Sequence, residues 1–261
     1  MPDELKAQVQ HQFGPAADSY ATSDVHAKGD SLAALLQLVK PQPDWLALDM
    51  ATGAGHTALL FAPHVAQVTA SDLTDQMLAK TAQLAAQRGF SNVKTRLADA
   101  EALPFEANTF DLVTCRLAFH HFPYPRQAVA EVARVLKPGG VFGLADNVTV
   151  PDAPAADYYN AYEKLRDPSH YWVHSQAQLE TMLAEAGLQV EASSNLIMKE
   201  LEFHDWADRQ RVTPENKEKL LDMMRRIPAA LQPLFAPRWA EGTVYFNLWE
   251  VVIVARKGAA A

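Results

Sequence analysis

Three short apolar runs, evenly spaced, each end in a carboxylate: Leu46-Ala47-Leu48-Asp49, Val68-Thr69-Ala70-Ser71-Asp72 and Thr95-Arg96-Leu97-Ala98-Asp99. The first opens at once into a glycine turn, Met50-Ala51-Thr52-Gly53-Ala54-Gly55. Strand-length runs of this kind, alternating with longer stretches of helical periodicity, restrict the chain to an open, mostly parallel α/β sheet. In such a sheet the carboxyl ends of neighbouring strands converge on one crevice, where ligands bind. Three acids at three successive strand ends are therefore expected to surround a single ligand. Carboxylates accept hydrogen bonds from hydroxyls and amines and repel phosphates, which favours a nucleoside without a phosphate chain.

The rest of the chain extends the alternation. Apolar spacing predicts a helix over Asp30–Val39, stopped by Pro41 and Pro43, and strands at about 45–50, 66–71, 93–98, 110–115 and 141–145. Helices are expected at His56–Phe61, at 75–88 with Thr74 as N-cap and Gly89 as stop, and at Arg126–Leu136 before Lys137-Pro138-Gly139-Gly140. Pro151, Pro154 and a run of tyrosines suggest an irregular aromatic excursion after residue 148. Ser175-Gln176-Ala177-Gln178 reads as a capping box for a helix ending near Gly187. One strand is expected over about 188–202, proline-broken helical sequence over 204–240, and a strong last strand at Val244–Ala255.

With 261 residues, 49% of them hydrophobic and 21% charged, a sizeable core can form. The net charge of -8 lacks the basic footprint of a nucleic-acid partner. No apolar run approaches the ~20 residues that span a bilayer, so no membrane partner is expected. The N-terminal residues show no basic-then-apolar secretory pattern, and the single cysteine, Cys115, suits a reducing compartment, so a cytoplasmic protein is expected.

Gly53-Ala54-Gly55-His56-Thr57-Ala58 satisfies the dinucleotide fingerprint G-x-G-x-x-G/A. Glycine lets backbone touch ligand, and the following helix start offers N–H groups to a pyrophosphate or to an amino-acid carboxylate alike. Asp49 would repel a pyrophosphate but is compatible with a sulfonium bearing an α-amino group. Asp72 lies where a ribose-diol acceptor belongs for either ligand, and Asp99-Ala100 suits an adenine amine. The combination favours S-adenosylmethionine over NAD. A nicotinamide-dependent oxidoreductase and a protein that binds S-adenosylmethionine without methylating stand as alternatives.

Residues 45–146 resemble a class I S-adenosylmethionine-dependent methyltransferase, of the broad group that includes the ubiquinone and menaquinone C-methyltransferases. Leu48–Gly55 resembles the family's glycine motif, Asp72 its ribose acid, Asp99-Ala100 its adenine pair, Phe110-Asp111-Leu112-Val113 its fourth strand and Leu136–Gly140 its turn into strand five. Phe13–Tyr20 and His26–Gly29 look like a subset of small bacterial methyltransferases. Ala51 departs from the pattern, standing where glycine is usual.

The resemblance implies a Rossmann-like, doubly wound, seven-stranded, mostly parallel sheet with an antiparallel last strand and helical cap insertions. One domain is expected: a helical lid over 1–44, a cofactor core over 45–148, and the remaining sheet with substrate-cap insertions over 149–261. It implies transfer of a methyl group to a small molecule, with an apolar or aromatic acceptor suggested by the tyrosines and tryptophans beyond residue 148. Asp49, Ala51, Gly53, Gly55, Asp72, Leu73, Asp99 and Ala100 would hold the cofactor, joined by Tyr20 and Lys28 on resemblance alone. Arg116 would bind the cofactor carboxylate or a substrate anion, with an ordinary salt bridge to Asp49 or Asp146 as the competing reading.

Methyl transfer is an in-line displacement that needs alignment, dryness and, for a protonated nucleophile, a base. The loop Arg116-Leu117-Ala118-Phe119-His120-His121-Phe122 should face the reactive end, with His121 the preferred base and His120 the second choice. A structural histidine is the competing reading of each. His170 and His174 have i,i+4 spacing but no third ligand nearby, so no metal is expected.

Overall fold

The computed structural model describes residues 2–16, 29–240 and 242–259. Parallel strands β1 (Leu46–Met50), β2 (Gln67–Asp72), β3 (Val93–Leu97), β4 (Phe110–Arg116) and β5 (Leu136–Asn147) arise where the apolar runs predict them. Antiparallel β9 (Thr243–Lys257) pairs with β5 through Val141–Asn147 and with β6 (Leu188–Ser193) on its other edge. The resulting order is β3-β2-β1-β4-β5-β9-β6.

The expected seven strands are nine among the described residues. The single strand foreseen over 188–202 breaks at 194–196 into β6 and β7 (Ile197–Glu202), because Ser194 leaves the ladder. Its N–H still donates to Val252 O, and its hydroxyl accepts from Val252 N–H. Both pieces pair with β9, which at 15 residues outruns its neighbours. The short β8 (Arg238–Ala240) turns back onto the start of β9.

Alternating side chains of the strands feed two cores, as period-2 pleating requires. On one face Leu48, Met50, Val113, Phe142 and Ile253 pack under α5 (Pro125–Val135) and α7 (Gln176–Glu185). On the other, Ala47, Val68, Leu112, Val141 and Val252 pack under α2 (Asp30–Val39) and α3 (His56–Phe61). The Ser175–Gln178 capping box that starts α7 is present in both its bonds. The helix expected at 75–88 is α4 (Asp75–Gln87); Thr74 occupies its N-cap position without a side-chain cap bond.

A third core sits on the protruding end of β9. The stretch after 148, expected to be irregular, contains α6 (Ala153–Arg166), whose N-cap Asp152 accepts the Ala155 N–H while Pro154 fills the first turn. With α8 (Phe203–Asp208), α9 (Pro214–Arg225) and α10 (Gln232–Phe235), it buries Tyr159, Tyr162, Trp206, Phe235 and Phe246 against each other. Tyr162 stacks on Trp206 with ring centroids 5.3 Å apart. Most of the cap aromatics are therefore packing rather than cavity wall. No helix among the described residues is long and apolar enough to cross a membrane.

Candidate active site

The carboxyl ends of β1, β2, β4 and β5, with the loop after β3, border a cavity of about 460 Å³. Helix α1 (Pro2–Phe13) lies over it, contributing Lys6, Val9 and Phe13 to the wall.

The glycine turn is held from below. Asp49 accepts hydrogen bonds from Thr52 Oγ1 at 2.5 Å, Thr114 Oγ1 at 2.7 Å and the Ala58 N–H at 3.0 Å. Burial lifts its pKa to about 6 despite those donors. Every one of these partners is protein, and the carboxylate lies beneath the turn rather than in the cavity wall. Asp49 therefore positions the turn from beneath, where its charge lies close to the cavity without forming part of the wall.

Gly55 also lies outside the wall. Its φ of 86° admits few side chains, and a Cβ there would come within 2.7 Å of Thr81 Cγ2. Its task is close packing of α3 against α4. Gly53, with φ 55°, does line the cavity, and a Cβ on it would meet no protein atom within 4 Å.

Ala51 takes φ 52°. The cost of alanine in place of the usual glycine is therefore backbone strain. Left-handed backbone costs an L-residue about 1–2 kcal/mol, partly offset by the greater unfolded-state freedom of glycine. Ala51→Gly should therefore raise stability by about 0.5–1 kcal/mol, read as an upward shift of about 1–4 °C in Tm by calorimetry.

Asp72 ends β2 facing the cavity. Its Oδ2 accepts the Gly53 N–H at 2.8 Å and its Oδ1 the Thr74 N–H at 2.9 Å, leaving each oxygen a second lone pair. Burial raises its pKa while these N–H groups pull it back. Leu73, Ala98, Ala100 and Met77 line the adjoining apolar stretch. Beyond them Asp99 Oδ1 accepts the Glu101 N–H at 2.9 Å, and Glu101, 2% exposed, stands beside it. Glu101 escaped the sequence reading because nothing local distinguishes it from a surface acid.

At the other end of the cavity, Leu117 turns the chain out of β4 with φ 53°. The following loop sets His120 and His121 side by side, ring centroids 4.3 Å apart. His120 Nδ1 lies 2.6 Å from Asp146 Oδ1, whose carboxylate also accepts the His120 N–H at 3.1 Å. Burial pulls the His120 pKa down, but the Asp146 charge and hydrogen bond more than reverse that, and the net shift is upward. His121 Nδ1 donates instead to the Ser169 carbonyl at 3.0 Å, and its ring meets the edge of Phe13 at 5.1 Å. Burial, with His120 as a neighbouring charge, lowers the His121 pKa to about 4. Of the two, His120 is the imidazole paired with a carboxylate, whereas His121, the first choice on sequence, is bonded to a backbone carbonyl.

Arg116 lines the wall between the two ends. Its Nε donates to Ser31 Oγ at 3.1 Å, amid the charges of Glu250, Asp49 and Asp146. Further out, the sheet extension adds Leu201, Leu248 and the buried ion pair Lys199–Glu250, while Arg166, Trp206 and Gln210 face them. Cys115 is fully buried, with its thiol pKa pushed well up by burial, and is an inert core residue. Tyr20 and Lys28 lie outside the described residues. Among the described residues no cluster of His, Cys, Asp or Glu is arranged to hold a metal; His170 instead bonds through Nε2 to Asn160 Oδ1 at 2.8 Å.

The family profile described as a methyltransferase domain matches residues 48–144. The uncharacterized methyltransferase YcgJ of Bacillus subtilis is 34% identical over 207 residues, 79% of this chain and 81% of its own. A Bacillus halodurans protein designated a methyltransferase superposes with a TM-score of 0.84 at 37% identity, over 88% of this chain and all of its own. A ubiquinone/menaquinone C-methyltransferase from Brucella canis is 37% identical over 117 residues, 43% of each chain.

The chain belongs to the class I methyltransferases.

S-adenosylmethionine is accordingly the methyl donor of this methyltransferase, and the residues present suit it. The Gly53 N–H, which a pyrophosphate would otherwise use, is already taken by the Asp72 carboxylate. A turn whose leading donor is occupied by an anion fits an unphosphorylated adenosyl group and disfavours a dinucleotide. The methyltransferase fold brings this turn, Asp72, Asp99 and His120 around one cavity, with Asp146 buried against His120.

Proposed function

We propose that the enzyme methylates a small molecule with an apolar or aromatic body, at an oxygen, nitrogen or sulfur that gives up a proton, with His120 as the base. The observation that carries this is the 2.6 Å His120–Asp146 contact beside the cavity that Asp72 and Asp99 also enter. When bound, the cofactor supplies an electrophilic methyl carbon on a sulfonium. Asp72 offers its free lone pairs to the ribose hydroxyls, Asp99 and Ala100 take the adenine edge, and Leu73 packs beside the sugar. Ala51 and Gly53 bring backbone against the amino-acid arm, and Arg116 faces its carboxylate.

With Nδ1–H given to Asp146, His120 keeps its lone pair on Nε2, the atom able to receive the acceptor's proton. The resulting imidazolium sits beside a buried carboxylate, which stabilises it. His121, holding Ser169 and Phe13, orients the loop. A cavity of about 460 Å³ that must also take a nucleoside leaves room for a small acceptor only. Phe13, Leu201, Trp206 and Leu248 offer it an apolar wall, and the chain's net charge of -8 is unsuited to a nucleic-acid substrate. α1, inside the 1–44 stretch expected to act as a lid, contributes Lys6, Val9 and Phe13 to the cavity wall.

The test is transfer of isotopically labelled methyl from S-adenosylmethionine to a panel of small phenols, thiols and aromatic amines. Labelled product with matching S-adenosylhomocysteine release is the expected result. Tight binding of S-adenosylmethionine with methylation confined to proteins or nucleic acids would overturn it.

A further inference from the structure

The cavity's adenine end is not faced by protein acceptors alone. Lys6 of α1 reaches down to it: Nζ lies 2.6 Å from Asp99 Oδ2 and 2.5 Å from Glu101 Oε2. Asp99 Oδ1 accepts the Glu101 N–H, and Oδ2, the oxygen without a backbone N–H on it, carries the ammonium. An ammonium and an exocyclic adenine amine are donors of the same kind, directed at the same oxygen.

We propose that Lys6 is a residue of the cofactor site that competes with the adenine amine for Asp99. The proposal rests on the assignment of Asp99 to adenine made above. The two contacts of Lys6 are unequal. Asp99 is 29% exposed in its side chain and Glu101 only 2%, with Lys6 itself at 23%. Ion pairs open to solvent are weakly held and screened, whereas a shielded partner is not readily given up. On cofactor entry Lys6 therefore yields Asp99 and keeps Glu101, its flexible stem absorbing the shift. α1 stays seated through Glu101 and through Gln10, whose Nε2 donates to Leu73 O at 2.8 Å. The enzyme thus holds its adenine acids together before loading, at some loss of apparent affinity.

Calorimetric titration of the full chain with S-adenosylhomocysteine tests this, using Lys6→Met, Lys6→Arg, Asp99→Asn and the Lys6→Met/Asp99→Asn double variant. Met matches Lys in helix propensity, so the helix is retained. Lys6→Met should bind about 3–10-fold more tightly, as removal of a competing state requires, and Lys6→Arg should stay near wild type. Asp99→Asn should weaken binding, and adding Lys6→Met to it should restore nothing. Raising salt should tighten the wild type and leave Lys6→Met unmoved. A Lys6→Met variant that binds no more tightly, while Asp99→Asn weakens, overturns the competition. Unaltered affinity in Asp99→Asn overturns the adenine assignment and the proposal with it.

Discussion

Replacing His120 by Gln should lower turnover by about 10²–10⁴-fold, the range for loss of a positioned base, while leaving S-adenosylhomocysteine affinity within about twofold. Glutamine can still donate to Asp146, so the buried carboxylate at 2% exposure keeps a partner and the fold is preserved. A base must be neutral to accept a proton. Because Asp146 raises the His120 pKa, activity in the wild type should climb with pH through a value above 6.5. Asp146→Asn removes that charge and leaves burial to dominate, so the rising limb should move to lower pH and the plateau should fall with the weakened base. His121→Gln should leave the limb where it is. If His121→Gln abolished turnover and His120→Gln merely halved it, the assignment would be reversed.

The second large effect is expected at Asp72. Asp72→Ala removes the oxygens offered to the ribose hydroxyls and should weaken S-adenosylhomocysteine binding by about 1.5–3 kcal/mol, about 10- to 150-fold. It also strands the Gly53 and Thr74 N–H groups that the carboxylate now holds at 2.8 and 2.9 Å. The thermal midpoint should therefore fall as well, because buried donors without partners destabilise the folded state. Titration and calorimetry together separate the two effects. A lower midpoint with unchanged affinity would make Asp72 a purely structural clasp.

The strands of the core were legible because parallel strands covered on both faces demand near-continuous apolar runs, and Leu46–Met50 and Phe110–Arg116 supply them. The acids at their ends were legible as positions but not as directions. Asp49 and Asp72 read alike in sequence, yet one turns under the glycine loop toward Thr114 and the other toward the cavity. That choice depends on which neighbouring strand supplies a hydroxyl, which is long-range information. His120 and His121 pose the same difficulty: adjacent imidazoles differ only in whether Asp146 or the Ser169 carbonyl meets Nδ1. α6 was missed although Asp152-Ala153-Pro154 is a helix start, because its tyrosines suggested loop. Lys6, Glu101 and the Lys199–Glu250 pair join residues far apart in the chain, and no spacing rule connects them.

The length of β9 separates two tasks along one strand. Its Val251–Arg256 half is laced to β5 and finishes the nucleoside-binding platform, whereas its Thr243–Glu250 half carries the cap helices and the outer compartment. Helices riding on an overhang can be exchanged, lengthened or repacked without disturbing the register of the strands that seat the methyl donor. Descendants of such a scaffold are free to change what they methylate while keeping what they methylate with.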